Sequence, residues 1–168
     1  MCWHIAPQLI ARCGGSKSRQ AGSRRREPPE PERLFAGTDL FLRFLTDDVP
    51  SQADAIEEIL YRASAGEVVL VVNSMVIAEI VWTLESYYGQ SRDSIRDKVL
   101  AILNTPGMET AEADLLLQAV YWYADKNADF SDAFNAAWLA AQGLRAAVTL
   151  DHEHYAGLEG VSAQVLGK

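Results

Sequence analysis

Residues 67–89 read EVVLVVNSMVIAEIVWTLESYYG and contain a strand followed at once by a helix. Residues 68–72 are an unbroken run of valine and leucine, which is typical of a strand buried on both faces. Ser74 is predicted to cap a helix that continues to Tyr88 and ends at Gly89. A buried strand that leads directly into a helix is the repeating unit of α/β folds, so this stretch favours that class.

The same alternation of short apolar runs and helical periods continues on both sides of this stretch. Further strands are predicted at residues 34–36, 146–150 and 161–166. Further helices are predicted at residues 40–45, from a Ser51 cap to residue 65, from a Ser91 cap to the turn at residues 105–107, and at residues 111–126 and 130–142. Because helices separate the strands, the sequence predicts an α/β fold with a mostly parallel central sheet and helices on both faces.

The composition is that of an ordinary globular protein, with 168 residues of which 49% are hydrophobic and 23% charged. No apolar stretch approaches the ~20 residues of a membrane-spanning helix, and the apolar patch at residues 5–11 is too short for a persuasive signal peptide. We therefore expect no membrane association and a cytoplasmic location. Cys2 and Cys13 both lie in the leading segment, so no disulfide framework is expected in the body of the chain.

The first 33 residues differ from the rest in charge and composition. Residues 14–31 read GGSKSRQAGSRRREPPEP, which predicts a disordered tail at residues 1–33 ahead of one domain at residues 34–168. The tail has seven basic and three acidic residues, whereas the remainder has 8 basic and 20 acidic. Two interpretations stay open for the tail: a basic arm for RNA, or an extension without a role. The acidic remainder repels polyanions on average, so any nucleic-acid contact must be local or mediated by cations.

Glu79 is the most informative residue of the predicted helix. Its neighbours at positions i−4, i−3 and i+3 are Met75, Val76 and Trp82, all apolar. Because a glutamate is seldom fully buried without a partner, this setting predicts a partner for the carboxylate. Two interpretations stay open: Glu79 binds a metal ion, or it lines the edge of a groove or pairs with a basic residue.

Three aspartates lie at a strand end or a helix start, where functional residues of parallel α/β sheets often occur. Asp151 directly follows the predicted strand at residues 146–150, where ligands bind in open α/β sheets, although an aspartate there also forms turns. Asp129 is predicted to cap the helix at residues 130–142, which is a structural role. Asp132 and Asn135 lie on one polar stripe of that alanine-rich helix, and this stripe must face something polar.

Four segments together resemble the PIN domain and, within it, the VapC-type toxins of bacterial toxin–antitoxin pairs. They are TDLFLRFLTDD at 38–48, VVNSMVIAEIVWTLESYYG at 71–89, ADFSDAFNAAWLAAQG at 128–143 and VTLDHEHY at 148–155. They follow the family's order and spacing, and the resemblance covers residues 34–168. It implies a three-layer PIN-like α/β fold, a homodimer, a cognate antitoxin protein as partner, and a metal-dependent endoribonuclease with RNA as its substrate.

The resemblance also implies a site in which acidic side chains hold Mg²⁺ or Mn²⁺. It assigns Glu79, Asp132 and Asp151 to the metal, with Asp129 as an accessory neighbour. Thr149 is an accessory candidate through its hydroxyl. Such a site needs no covalent nucleophile, because a bound ion activates water and offsets charge on the leaving oxygen.

One position departs from the family pattern. The family usually opens with Asp-Thr-Asn, an apolar run and Arg; alignment on Arg43 places Gly37 at the first catalytic aspartate and Asp39 at the asparagine. On an extended backbone the two side chains would share one side, ~6.6 Å apart at ~3.3 Å per residue. Asp39 either replaces the missing ligand in part or caps the next helix, and the sequence leaves both open.

Two other functions are compatible with the sequence. The main rival is a PIN-like module that binds an antitoxin or RNA without cutting, because Gly37 removed a ligand. A small Mg²⁺-dependent phosphatase is a second rival. The chain contains no phosphate-binding GxxxxGK[ST] loop and no GxSxG nucleophile motif, and the pair His152 and His154 alone is a poor zinc site.

Overall fold

A computed structural model describes residues 30–46, 50–150, 152–155 and 157–166. The elements in chain order are β1 (Glu32–Phe35), α1 (Thr38–Thr46), α2 (Pro50–Ser64), β2 (Val68–Val71), α3 (Ser74–Ser86), α4 (Arg92–Leu103), β3 (Met108–Glu109), α5 (Ala113–Asp125), α6 (Phe130–Ala141), β4 (Ala146–Thr149) and β5 (Ser162–Val165), with a 3₁₀ turn at Glu153–Tyr155 before β5. The predicted α/β class is confirmed. None of the helices in these ranges is both long and apolar enough to span a membrane.

All strand pairings in the described residues are parallel, as predicted. β2 lies between β1 and β3, with Phe35 opposite Val71 and Leu70 opposite Met108. β4 and β5 form a second parallel pair. Within the described ranges these are two separate sheets, whereas the sequence predicted one central sheet. The prediction was wrong on this point because an apolar run shows that a strand exists but not which strand lies beside it.

The core forms where β2 meets the helices. Val68 and Leu70 are fully buried on one face of β2, while Val69 and Val71 are half-buried on the other, so β2 is less enclosed than predicted. α3 turns an apolar face inward, and α5 packs closely on α6. The rings of Tyr123 on α5 and Phe130 on α6 meet edge to face, with centroids 6.1 Å apart. This contact fixes the start of α6, which carries two of the candidate aspartates.

Two of the predicted helix caps are confirmed and two are wrong. Ser91 caps α4 and Asp129 caps α6; each side chain accepts a hydrogen bond from a backbone N–H of the first turn. Ser74 is not the cap of α3, because Asn73 holds the extended backbone and its Oδ1 accepts from Val76 N at 3.0 Å. Ser51 lies inside α2, which begins at Pro50, a residue favoured in a first turn because it has no N–H to leave unpaired.

Two strand features were missed by the sequence patterns. β3 is only two residues long, too short to show an alternation. The turn before it requires glycine: Gly107 has φ +79°, and a Cβ there would lie 2.3 Å from the carbonyl oxygen of Ala63. β1 begins at Glu32, inside the segment predicted as a tail, because Glu32 and Arg33 pair with β2 despite their charge. The rest of the predicted tail, residues 1–29, lies outside the described residues.

Candidate active site

The ends of β1 and β2 bring the first candidate residues to one edge of the sheet. Gly37 and Thr38 follow β1, and Asn73 follows β2. Because the two strands are parallel and Phe35 lies opposite Val71, the segments that follow β1 and β2 leave the sheet at the same edge. Thr38 Oγ1 donates a hydrogen bond of 2.6 Å to Glu79 Oε2. The start of α1 is therefore tied to the first turns of α3.

Glu79 is exposed, so its apolar neighbours in the sequence do not indicate a buried carboxylate. Its own face of α3 carries Met75 and Trp82, and both are largely exposed too, whereas Ile77 and Ile80 on the opposite face are buried. Of the apolar residues three and four positions away, Val76 is buried in the core, whereas Met75 and Trp82 lie at the surface with Glu79. Glu79 lies at the edge of a groove, where its carboxylate is open to a ligand.

A cavity of about 560 Å³ opens beside this carboxylate; we call it the Glu79 cavity. Its polar lining residues are Thr38, Asn73, Glu79 and Ser131. Its apolar lining includes Phe35, Met75, Trp82 and Phe130. The volume lies within the ~300–1,000 Å³ of typical ligand pockets. Residues from β1, α3 and the start of α6 thus border one space.

A second, more polar cavity of about 460 Å³ is bordered by the residues that lead into α6; we call it the Asp132 cavity. Asp129 and Asp132 line it together with Glu153 and His154. His154 Nδ1 lies 3.1 Å from Asp132 Oδ2. Sequence reasoning weighed His154 only as a zinc ligand and missed this pairing, because no spacing rule links it to Asp132.

The pKa of Asp132 is raised above its ordinary value. Burial of the carboxyl is the largest influence; His154 acts in the opposite direction, and the negative charge of Asp129 raises the pKa further. The pKa of neighbouring Tyr155 is also raised, first by burial and then by the charge of Asp132. Asp132 is therefore a carboxylate whose negative charge is costly in this setting, and a cation beside it would reduce that cost.

The two cavities meet at α6. Ser131 lines the Glu79 cavity and the next residue, Asp132, lines the other. Asp129 accepts a hydrogen bond of 2.8 Å from Ser131 N, so the accessory aspartate fixes the backbone between them. Glu79 and Asp132 were predicted to belong to one site; they line two separate cavities, which the consecutive residues Ser131 and Asp132 connect along α6.

Asp39 lies beside the position where the family has its first aspartate. The backbone is helical from Thr38, so the spacing of ~6.6 Å, which applied to an extended backbone with a rise of ~3.3 Å per residue, does not hold here. A Cβ built on Gly37 would lie 3.0 Å from Asp39 Oδ1. Gly37 lines the Glu79 cavity, and the carboxylate of Asp39 thus reaches the space next to it.

The remaining candidates fall elsewhere. Asp151 lies outside the described residues. Thr149 ends β4 and lines neither of the two cavities. Within the described ranges, no three His, Cys, Asp or Glu side chains are close enough together to hold a metal ion. The donors present, carboxylate and hydroxyl oxygens, have the chemistry that Mg²⁺ and Mn²⁺ prefer.

Arg92 is a further contributor that the sequence analysis missed. It begins α4 and donates hydrogen bonds to the carbonyl oxygens of Tyr123, at 2.9 Å, and Ala128. Its guanidinium also lies 4.4 Å from the centre of the Tyr123 ring and 3.3 Å from Glu85. Because Ala128 directly precedes Asp129, Arg92 fixes the approach to α6. A basic residue at the start of a helix is unfavourable because of the helix dipole, so the position of Arg92 in the sequence already indicated a tertiary contact.

Comparison with protein-family models and with curated proteins found no match for this chain. The likeness to PIN domains therefore depends on the four sequence segments alone.

Proposed function

We propose that this chain is a metal-dependent ribonuclease that hydrolyses RNA phosphodiester bonds and is the toxin of a type II toxin–antitoxin pair. One observation carries the proposal: Thr38, Glu79 and Ser131, which are distant in sequence, border one cavity, and Asp132 follows Ser131. These residues belong to three of the four segments that resemble PIN domains. Their convergence at the strand ends is what a site in an open α/β fold requires.

The chain's own groups have distinct tasks in this proposal. Glu79 and Asp132, with Asp39 and Asp151, would hold Mg²⁺ or Mn²⁺. Bound there, the ion would supply an activated water and offset the charge on the leaving oxygen. Thr38 orients the Glu79 carboxylate through its hydrogen bond. Asp129 keeps the start of α6 in place by capping it.

The choice of substrate and partners follows from the resemblance, with support from charge and exposure. RNA is preferred to DNA because of the family likeness, and a body with 8 basic and 20 acidic residues over positions 34–168 needs cations to approach it. A cognate antitoxin and a homodimer are proposed as partners. α2 and α3 retain exposed aromatic side chains at Tyr61 and Trp82 that a partner would cover.

The test is cleavage of an unstructured RNA by the purified full chain over a Mn²⁺ titration. We expect Mn²⁺-dependent cleavage that a chelator stops. Glu79→Gln should lose more than ~100-fold, above the 10–100-fold typical for residues that only support ligands. It should keep its thermal stability because the side chain is exposed. Glu57→Gln, an exposed glutamate of α2, is the matched control and also reports contaminating nuclease.

The outcomes separate the rival functions. Equal cleavage by Glu79→Gln and Glu57→Gln would show that Glu79 is not a ligand. RNA binding without metal-dependent cleavage would favour the non-cutting module. Hydrolysis of phosphate monoesters in place of RNA would favour the phosphatase.

A further inference from the structure

His154 is a basic side chain among the acidic residues that line the Asp132 cavity. Its Nδ1 donates a hydrogen bond to Asp132 Oδ2 across 3.1 Å. An ionised carboxylate can only accept hydrogen bonds, so the proton of this contact is on Nδ1. His154 belongs to the 3₁₀ turn after β4 and Asp132 to the first turn of α6. The contact therefore joins the segment that follows β4 to the helix that carries the candidate aspartates.

The residues that follow His154 anchor its turn to the rest of the fold. Tyr155 packs against the core, and Leu158 is buried. Lys126, which follows α5, donates a hydrogen bond of 2.8 Å to the carbonyl oxygen of Gly157. The imidazole of His154 therefore reaches α6 from a backbone that is held in place, although about half of its side chain is exposed.

The two aspartates of the α6 N-terminus have different partners. Asp129 accepts a hydrogen bond from the backbone N–H of Ser131 and caps the helix. Asp132 already lies within the helix, and its side chain is bound by the imidazole of His154. Because the cap is supplied by Asp129, the contact between His154 and Asp132 is not needed to start α6. What it fixes is the direction of the Asp132 carboxylate.

We propose that His154 is a positioning residue, which holds the Asp132 carboxylate by one oxygen in the orientation that binds Mn²⁺ or Mg²⁺. The proposal rests on the proposed function, because it takes Asp132 as a ligand of the ion. Carboxylate ligands are commonly held by a hydrogen bond from a neighbouring group. Glu79 has the same arrangement, since Thr38 donates to its Oε2. Each of these two carboxylates is thus held by a donor from a different segment of the chain.

Two amide substitutions test the position of the donor. The side-chain NH₂ lies at the place of Nδ1 in His154→Asn and at the place of Nε2 in His154→Gln, so only His154→Asn keeps a donor next to Asp132. We expect His154→Gln to weaken Mn²⁺ binding by the full chain about 10–100-fold in calorimetry. His154→Asn should bind Mn²⁺ nearly as well as the unaltered protein.

The matched control is His152→Ala. His152 is exposed, directly precedes the same 3₁₀ turn and is not among the residues that line the Asp132 cavity. This variant should bind Mn²⁺ like the unaltered protein. Thermal unfolding in chelator shows whether each variant is folded, and a general loss of folding would affect His154→Asn and His154→Gln alike.

A readout without metal follows the contact itself. An imidazole is neutral in alkaline buffer, and a ring that donates from Nδ1 carries its single proton there. Nitrogen-15 NMR should show this tautomer for His154 in the unaltered protein and not in Asp132→Ala. RNA cleavage by His154→Gln should be weak at limiting Mn²⁺ and recover at saturating Mn²⁺, because the affinity for the ion is what changes.

The outcomes separate this proposal from the proposed function. Mn²⁺-dependent cleavage with the same Mn²⁺ affinity in His154→Gln and the unaltered protein would overturn the positioning role and leave the nuclease. Equal losses in His154→Asn and His154→Gln would also overturn it, since the position of the donor would not matter. Tighter Mn²⁺ binding by both variants would show that the imidazole competes with the ion for Asp132.

Two further results would contradict the proposal in different ways. A nitrogen coupling from His154 in the electron paramagnetic resonance spectrum of bound Mn²⁺ would make His154 a ligand of the ion and not a positioning residue. If the unaltered protein bound no Mn²⁺, both the metal-dependent nuclease and the positioning role would be overturned.

Discussion

The Thr38 hydroxyl donates to Glu79 Oε2 at 2.6 Å, joining residues that are 41 positions apart in sequence. Thr38 is the first residue of α1, and Glu79 lies in α3, so the bond spans the two elements that follow β1 and β2. A carboxylate held by one oxygen presents its other oxygen in a fixed direction. This is the arrangement in which a supporting residue tunes a ligand.

The first prediction concerns this hydrogen bond. Thr38→Val keeps the shape of the side chain and removes the donor, so Glu79 loses its orientation. We expect a 10–100-fold higher Mn²⁺ requirement for RNA cleavage, as is typical for loss of a supporting residue. Thr38→Ser should keep most of the activity because the hydroxyl remains. An unchanged Mn²⁺ titration curve for Thr38→Val would mean that the bond has no part in the site.

The elements of this fold were predictable from local patterns. Helical periodicity located α4, α5 and α6 to within a few residues, because each helix buries one face against the core. Apolar runs located β2 and β4. The patterns did not predict β3, because a strand of two residues shows no alternation. They also did not place Glu32 in β1, because charged residues at the end of a strand resemble a loop. The order of strands across the sheets is set by tertiary packing, which no local pattern reports.

The sequence predicted the positions of the candidate residues better than their burial and their surroundings. Asp129 and Asp132 stand where the helix start predicted them. Glu79 has apolar neighbours in the sequence, yet it is exposed, and Met75 and Trp82 are themselves at the surface. A local sequence pattern shows which face of a helix is apolar. Whether that face packs against the core or borders a cavity depends on elements that are distant in sequence.

The second prediction concerns Arg92, which supports the turn between α5 and α6. Arg92→Ala removes its hydrogen bonds to the carbonyl oxygens of Tyr123 and Ala128. We expect the free energy of unfolding to fall by about 2 kcal/mol, the size typical of a hydrogen bond made by a charged group. Cleavage should also weaken, because the backbone before Asp129 is less fixed. Denaturant unfolding and RNA cleavage measure the two effects.

Arg96 on the same helix is the matched control. It contacts Asp93 and Asp97, whose side chains are mostly exposed. Surface ion pairs contribute little, so Arg96→Ala should cost clearly less stability than Arg92→Ala and leave cleavage unchanged. Equal losses for the two variants would show that Arg92 acts only as a surface charge.

The third prediction uses the raised pKa of Asp132, measured on protein freed of metal by a chelator. Above the ordinary pKa of 3.8, an unfolded chain releases the proton that the folded protein still holds. The folded state then binds more protons than the unfolded one, so Asp132 makes stability fall as pH rises through the interval up to its raised pKa. Asp132→Asn cannot ionise and escapes this loss.

The difference in free energy of unfolding between Asp132→Asn and the unaltered protein should therefore shift in the variant's favour as pH rises from 3.8. Denaturant unfolding at a series of acidic pH values measures it. Added Mn²⁺ should stabilise the unaltered protein more than the variant. A difference that shifts in the opposite direction would mean that the folded state favours the ionised carboxylate even without metal.

The last prediction concerns Gly37, the position where the family has an aspartate. Gly37 does not have the positive φ seen at the chain's turn glycines, so an L side chain fits its backbone without strain. The new Cβ would lie 3.0 Å from Asp39 Oδ1, which is the far end of an exposed side chain that can rotate away. Gly37→Asp should therefore fold, and its carboxylate should enter the Glu79 cavity that residue 37 already lines.

We expect Gly37→Asp to raise RNA cleavage about 10-fold or more and to lower the Mn²⁺ requirement, since it supplies the anionic ligand of the PIN pattern. Gly37→Ala adds the same Cβ without the charge, so it should bring no gain. Without metal the two neighbouring carboxylates repel each other, so Gly37→Asp should lose thermal stability in chelator and regain it with Mn²⁺.

Asp39→Asn completes the experiment, because it tests whether Asp39 now replaces the missing ligand. In the native background it should remove the remaining cleavage, since the Asp39 carboxylate is the one that lies against the position of a Cβ on Gly37. In the Gly37→Asp background it should be tolerated, since the family pattern has asparagine at that position. The same effect of Asp39→Asn in both backgrounds would exclude compensation by Asp39. A Gly37→Asp protein that folds and binds Mn²⁺ but does not cut RNA would favour the non-cutting module over the nuclease.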